Sequence, residues 1–134
     1  MFRFRLVTMD HSITNMYPPP SESIVQKLKT QVLDVVSFCR YIIHLNFESG
    51  IQLSIEGPFR FAKKQSYPDV PVCEFPIVES NLTRILGQSV VKVNCDTDGT
   101  LELEFANEDV LVIYANDPMY EAYTLIIDGK NYVV

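Results

Sequence analysis

Apolar residues follow one pattern twice along the chain, at a spacing of 58 positions. Residues 21–57 align without a gap to residues 79–115. The identical pairs are all apolar, namely Leu28/Leu86, Val32/Val90, Val35/Val93, Leu45/Leu103, Phe47/Phe105, Leu53/Leu111 and Ile55/Ile113. Because a repeated structural unit has to preserve its buried positions, this bias predicts an internal duplication of the fold.

Each copy opens with polar residues that are followed by apolar residues one helical turn apart, such as Ile24 with Leu28 and Leu82 with Leu86. This spacing predicts a short helix of about two to three turns at the start of each copy. Gly87 is expected to end the second helix, because glycine readily adopts the left-handed conformation of a helix C-terminus.

Three apolar segments follow each predicted helix, at 32–37, 41–47 and 51–55 in the first copy and at 89–95, 100–105 and 110–114 in the second. The middle segments alternate strictly between apolar and polar residues, which is typical of half-buried antiparallel strands. This alternation places His44 and Asn46, and likewise Glu102 and Glu104, on the face opposite the core. Turn-forming residues between the segments favour hairpins.

The residues around the two copies predict further strands at 2–8, 120–127 and 132–134, an extended linker at 17–20 and a connecting loop at 64–76. We therefore predict one α+β domain over residues 1–134. Its two pseudo-symmetric α-β-β-β repeats, 21–57 and 79–115, are expected to form a mostly antiparallel sheet with two short helices.

The composition is that of an ordinary globular protein. The 134 residues are 47% hydrophobic and 21% charged, which is too apolar for a disordered chain. No apolar run reaches the roughly 18 residues that cross a bilayer, so we expect a cytoplasmic protein with no membrane contact. Cys39, Cys73 and Cys95 cannot all pair and show no C-x-x-C spacing, which indicates reduced thiols.

Charge is distributed unevenly along the chain. Residues 1–67 carry eight Lys or Arg against five Asp or Glu, a net charge of +3, whereas residues 68–134 carry three against twelve, a net charge of −9. The two halves add to the overall −6. An acidic surface repels nucleic acid and steers a basic partner toward it, so direct nucleic-acid binding is not expected.

The sequence contains no phosphate-binding loop, no metalloprotease motif and no nucleophile elbow. Cys39 and His44 form a weak candidate for a catalytic pair, and Glu102 with Glu104 could be either an acid–base pair or a solvated acidic surface. The stretch 96–99 resembles the start of a calcium loop but has the composition of a simple turn. We therefore predict no catalytic residue, no metal site and no cofactor.

Two short motifs indicate a relationship to a known family. Gly57-Pro58-Phe59-Arg60 ends the first copy, and Tyr120-Glu121-Ala122-Tyr123 follows the second. With the intervening hairpin of the second copy, the chain resembles, over about residues 40 to 127, a bacterial family of small uncharacterised proteins with GPF and YExY motifs. It departs from that family at Glu108, where a turn glycine is expected. Relatives of this kind are often encoded beside contact-dependent toxins, so the resemblance implies an immunity role.

A non-enzymatic immunity protein that neutralises a basic, nuclease-type toxin is therefore our leading hypothesis for the function. Acidic residues supply the steering and tyrosines the anchors in such an interface. The predicted partner-binding residues are Glu102, Glu104, Glu108, Asp109, Asp117, Tyr120, Glu121 and Tyr123. The alternatives are a small-ligand or peptide binding module in a groove between the two repeats, and an enzyme built from dispersed residues. A homodimer through the edge strand 2–8 is also considered.

Overall fold

A computed structural model describes residues 6–9, 12–15, 19–66, 69–77, 79–117 and 121–134. The strands within these residues are β1 (Leu6–Met9), β2 (Ser12–Asn15), β3 (Leu33–Phe38), β4 (Ile43–Phe47), β5 (Gln52–Ile55), β6 (Phe59–Lys63), β7 (Val90–Cys95), β8 (Leu101–Phe105), β9 (Asp109–Ile113), β10 (Tyr123–Ile127) and β11 (Lys130–Val133). The helical residues are few. They comprise α1 (Glu22–Val25), the 3-10 turn Gln26–Leu28 that continues it, and a second 3-10 turn at Leu82–Ile85.

The strands form two larger antiparallel sheets and one hairpin. The first sheet has the order β11-β10-β5-β4-β3, the second sheet has the order β6-β9-β8-β7, and β1 pairs with β2. Each larger sheet contains the three strands of one repeat. The strand that follows each repeat crosses to the other sheet, so that β6 pairs with β9 and β10 pairs with β5. The two halves of the chain therefore exchange a strand.

The core lies between the two larger sheets. Strict alternation in β4 and β8 turns three apolar side chains of each strand inward, as the sequence pattern predicts. Leu45 and Leu53 of the first sheet belong to the same buried cluster as Leu103 and Leu111 of the second. The two sheets therefore pack face to face, with their apolar faces inward.

The beginnings of β3 and β7 lie side by side and make matching contacts. Val32 and Ser89 form an antiparallel bridge. The Thr30 amide donates to the carbonyl of the first residue of β7 at 2.7 Å, and the Gly87 amide donates to that of the first residue of β3 at 2.8 Å. Thr30 and Gly87 also share a left-handed backbone, with φ of 74° and 77°. The two repeats thus meet around a local twofold arrangement.

Residues that correspond across this twofold are 57 positions apart at the start of each repeat, not 58. Val25 and Leu28 are buried in the first copy, and Leu82 and Ile85 are buried in the second, whereas Leu86 is 43% exposed. The spacing becomes 58 from β4 and β8 onward, because the β7–β8 connection is one residue longer than the β3–β4 connection. The ungapped alignment is therefore wrong by one residue before these strands.

The predicted α+β fold with a single sheet and two helices is also wrong. The strands of both copies begin and end within two residues of their predicted bounds. The expected helices, however, shrink to α1 with its 3-10 turn and to a second 3-10 turn, because Thr30 and Gly87 adopt a left-handed backbone three residues before the next strand. The repeats do not form one continuous sheet: β3 and β7 meet only at their beginnings, and the third strand of each repeat pairs with the exchanged strand of the other half.

Candidate functional site

The outer face of the second sheet carries charged side chains. Its outward positions are Arg60 and Ala62 in β6, Val110 and Val112 in β9, Glu102 and Glu104 in β8, and Lys92 and Asn94 in β7. Glu104 lies 3.5 Å from the ammonium of Lys64, and the Glu104 side chain is only 16% exposed. Its charge is therefore largely neutralised, whereas Glu102 has no ion pair among the described side chains.

Glu102 lines a recess of about 320 Å³ at one end of this face. Two further carboxylates, those of Glu22 and Asp96, line the same recess, and Tyr114 supplies an aromatic wall. None of the described residues that line it is a lysine or an arginine. The recess therefore concentrates negative charge in a concave surface, a geometry that attracts cations.

The position of Glu22 in the recess depends on the packing of α1 against β7. The side-chain amide of Gln26 donates to Glu22 Oε1 at 2.9 Å and to the carbonyl oxygen of Val93 in β7 at 3.0 Å. This amide ties the helical segment of the first repeat to a strand of the second repeat. The recess is thus assembled from both copies, which the sequence does not reveal.

The Cys95 thiol also borders the recess but is not activated. Burial raises its pKa, the hydrogen bond with the Tyr123 hydroxyl opposes this rise, and the charges of Glu22, Asp96 and a neighbouring aspartate raise the pKa further. Because the thiolate is the nucleophilic form, a raised pKa makes Cys95 a poor nucleophile at neutral pH. Burial raises the pKa of the half-buried Cys73 as well.

Asp109, one of the predicted partner-binding residues, has a fully buried side chain. Arg84 donates to its two carboxylate oxygens at 2.6 and 3.2 Å, and the Asn107 amide donates to one of them at 2.7 Å. The Lys63 ammonium lies 3.7 Å away. This carboxylate holds the start of β9 in place and cannot meet a partner at the surface.

Tyr123 is likewise fully buried, and its hydroxyl donates to the Gly99 carbonyl at 2.8 Å. Among the remaining predicted residues, Glu108 and Asp117 are exposed, Glu121 is half-buried, and Tyr120 lies outside the described residues. The eight predicted residues therefore do not form one surface. Of the seven that the structure describes, only Glu102 lines the acidic recess, which also contains two carboxylates that sequence reasoning did not select.

His44 forms its side-chain contacts with Ser54 rather than with Cys39. Its Nδ1 atom lies 2.7 Å from Ser54 Oγ and 3.1 Å from the Gln52 amide nitrogen. A serine–histidine nucleophile needs a group that orients the ring from its other nitrogen. Both contacts are made to Nδ1, and no described side chain contacts the other ring nitrogen, so this pair lacks the orienting group that such catalysis needs.

The described residues contain no group of three or more His, Cys, Asp or Glu side chains that could hold a metal ion. The stretch 96–99 forms the β7–β8 turn, in which Asp98 Oδ1 accepts a hydrogen bond from the Thr100 amide at 2.9 Å. The interpretation of this stretch as a simple turn is therefore confirmed. Within the described part of the chain, no helix has both the length and the apolar character that spanning a membrane requires.

Fold and site together define a two-sheet β protein with strands exchanged between its halves and an acidic recess on one outer face. The chain belongs to the family of unknown function DUF6188, whose model matches residues 24–134. No curated protein and no solved structure matches it. The expectation of an uncharacterised family is confirmed in that general sense, while the association with toxins remains a prediction.

Proposed function

We propose that this chain is a non-enzymatic binding protein of the immunity type, which neutralises a basic, nuclease-type bacterial toxin. The observation that carries the proposal is the acidic recess, where Glu22, Asp96 and Glu102 face one cavity with no lysine or arginine in its described lining. A nuclease binds a polyanion through basic side chains. Carboxylates that engage those side chains compete with the nucleic acid.

The lining of the recess suits an arginine or lysine side chain of the partner. Arginine forms paired hydrogen bonds with carboxylates and stacks on aromatic rings, and the recess offers both kinds of group through Glu102 and Tyr114. Within this protein, Arg60 already lies over the Tyr114 ring, 5.6 Å from its centre, and donates to its hydroxyl at 2.9 Å. Tyr114 therefore already contacts one guanidinium within the protein, and it also lines the acidic recess.

The charge distribution supports fast association with such a partner. The net charge of −9 in residues 68–134 extends the attractive field beyond the recess. Steering by complementary charge raises association rates and weakens as salt is added. Binding is therefore expected to be strong at low salt and to fall at about 0.5 M salt, where screening limits charge interactions to ~4 Å.

The test begins with capture from a lysate of the native host, followed by purification and titration of the captured protein. We compare the wild type with a recess variant that removes the three charges without changing side-chain size, E22Q/D96N/E102Q. A control variant removes three exposed charges outside the recess, D34N/E48Q/D69N. If each lost charge pair contributes about 1 kcal/mol, the recess variant weakens binding by ~100-fold.

The expected partner is basic, loses nuclease activity when bound, and retains most of its affinity for the control variant. Equal affinities of the recess and control variants for the captured protein would contradict the proposal. A captured protein that binds as tightly at about 0.5 M salt as at low salt would contradict it too, because charge pairing would then not hold the complex together.

A second candidate function, binding of a peptide or small ligand, is favoured by one observation. A second recess of about 330 Å³ shares Tyr114 with the acidic one, and Pro58, Arg60 and Asn116 also line it. It lies where the strand after the first repeat meets the end of the second. An extended ligand that crosses Tyr114 would contact both recesses. Tyr114→Ala would then weaken binding of that ligand more than removal of the charges of the acidic recess does.

A further inference from the structure

We propose that the free edge of β3 is a docking site for an extended strand of a partner protein. β3 lies at the edge of the first sheet, and β4 is the only described strand that pairs along its length. Its beginning is bonded to the start of β7, which leaves residues 35–38 with one open side. An edge strand offers backbone N–H and C=O groups to another chain, so a segment in an extended conformation can join the sheet there.

The direction of the backbone groups in this stretch follows from the turn that ends it. The Cys39 N–H donates to the Ile42 carbonyl at 2.8 Å, so Cys39 faces β4. Successive residues of an antiparallel strand direct their backbone groups alternately toward and away from the paired strand. Val36 and Phe38 therefore direct their N–H and C=O groups away from β4, toward the open side. Within the described residues, no backbone hydrogen bond reaches these four groups.

The equivalent edge of the second sheet, that of β7, is covered. Val93 is equivalent to Val36, and its carbonyl accepts a hydrogen bond from the Gln26 side-chain amide at 3.0 Å. Because α1 packs against β7, Val93 is only 4% exposed. On β3 the equivalent of Gln26 is Thr83, an exposed side chain with no hydrogen bond to β3 among the described residues. Val36 is less buried than Val93, so the fold protects one of two equivalent edges and leaves the other open.

The side chains beside the open edge are of the kinds that anchor protein interfaces. Val35 is 40% exposed, and Phe38 and Tyr41 are each 46% exposed; they are half of the large apolar side chains exposed in the described part of the chain. Arg40 lies over the Tyr41 ring, 5.2 Å from its centre. Aromatic and arginine side chains are enriched where proteins bind one another. The equivalent turn of the second copy, 96–99, is polar and acidic, so the fold itself does not require aromatic residues here.

The charges at the two ends of the stretch define the chemistry of the partner strand. Asp34 lies at the bulge near the start of β3 and Arg40 follows its end; both are exposed, and neither forms an ion pair with a described side chain. All described strand pairs of the protein are antiparallel. A strand added in the same way begins beside Arg40 and ends beside Asp34. The occupant is therefore a segment with an acidic residue first, apolar residues opposite Val36 and Phe38, and a basic residue last.

The probe is the blocked peptide Glu-Thr-Val-Thr-Val-Thr-Lys, titrated into the isotope-labelled full chain and followed by NMR. We expect binding with a dissociation constant below about 1 mM, and slower hydrogen exchange of the Val36 and Phe38 amides. N-methylation of both valines removes the N–H groups that face β3 and should weaken binding at least ~10-fold. The matched control is N-methylated at two threonines, whose N–H groups face away, and should bind nearly as well as the parent. A peptide with its Glu and Lys exchanged should bind more weakly, because each end then meets a like charge.

On the protein side, Phe38→Pro removes an N–H group of the open edge, whereas Phe38→Ala keeps it, so the proline variant should bind the peptide more weakly than the alanine variant. Thermal unfolding verifies that both variants fold, and the methylated peptides test the proposal without any variant. The proposal is overturned if the parent peptide does not bind at about 1 mM, or if the two methylated peptides bind equally. It is also overturned if the Val36 amide becomes protected by a rise in protein concentration alone, since a second copy would then occupy the edge. None of these outcomes involves the acidic recess, so they leave the proposed function unaffected.

Discussion

Thr30 should limit the stability of this protein, and replacing it by glycine should stabilise the fold. Thr30 has a φ of 74°, and Gly87 occupies the equivalent turn of the second copy with a φ of 77°. A left-handed conformation costs a residue with a side chain about 1–2 kcal/mol, and β-branched residues are unusual there. Since Thr30 is exposed, its replacement sacrifices no core packing.

The expected gain is smaller than the strain relieved, because glycine also makes the unfolded chain more flexible. That entropy costs roughly 0.5–1 kcal/mol and offsets about half of the relief. We therefore expect Thr30→Gly to stabilise the protein by about 0.5–1 kcal/mol, which corresponds to a rise in Tm of roughly 2–4 °C for a chain of this size. Thermal and urea denaturation followed by circular dichroism measure both quantities.

Thr83→Gly is the matched control, because Thr83 is also exposed but lies in a 3-10 turn without a positive φ. Here only the entropy cost applies, so we expect a loss of about 0.5–1 kcal/mol. The reciprocal change, Gly87→Thr, should also destabilise the protein; a Cβ atom at position 87 would meet no other atom within 4 Å, so the loss reflects the backbone alone. Equal destabilisation by Thr30→Gly and Thr83→Gly would refute the reasoning.

Three further predictions concern buried groups. Arg84→Ala leaves the buried Asp109 carboxylate without its main partner, so we expect a loss of about 3 kcal/mol in urea denaturation, and a smaller loss for Arg84→Lys. The exposed Cys39 should react first with a thiol reagent; Cys95, whose pKa is raised, should require higher pH or unfolding, because less thiolate is present at any given pH. Tyr123→Phe removes a hydroxyl that donates to a buried carbonyl and should cost about 1 kcal/mol, measured by thermal unfolding.

Local patterns predicted the strands well because alternation reports directly on burial. The outward orientation of Glu102 and Glu104 followed from the apolar side chains between them. The helical spacing around Leu28 was less informative. A single helical turn packed against β7 is enough to bury the same apolar residues, so the spacing does not require a longer helix. The identity of Leu28 with Leu86 misled the alignment, because Ile85 is the residue that is buried in the second copy.

The sequence pattern does not show which distant strands pair with each other. The exchange of β6 and β10 depends on strands that are far apart in the chain, and either sheet order satisfies the same alternation. The burial of Asp109 was missed because its partner Arg84 lies 25 residues away, so the aspartate was expected to be solvated. Glu22 was missed because the sequence does not show that α1 packs on the other repeat.

The exchanged strands also determine how the protein responds to a break in its chain. A cut between residues 69 and 72, in the connection between the two halves, separates β6 covalently from the sheet that it completes, while β10 remains on the other fragment. Each fragment then contributes a strand to the sheet of the other. We therefore expect the two fragments of the cut chain to stay associated. They should migrate as one species under native conditions and as two only after denaturation. Each half lacks one strand of its own sheet, so we expect the whole duplication, and not either half, to fold as one unit.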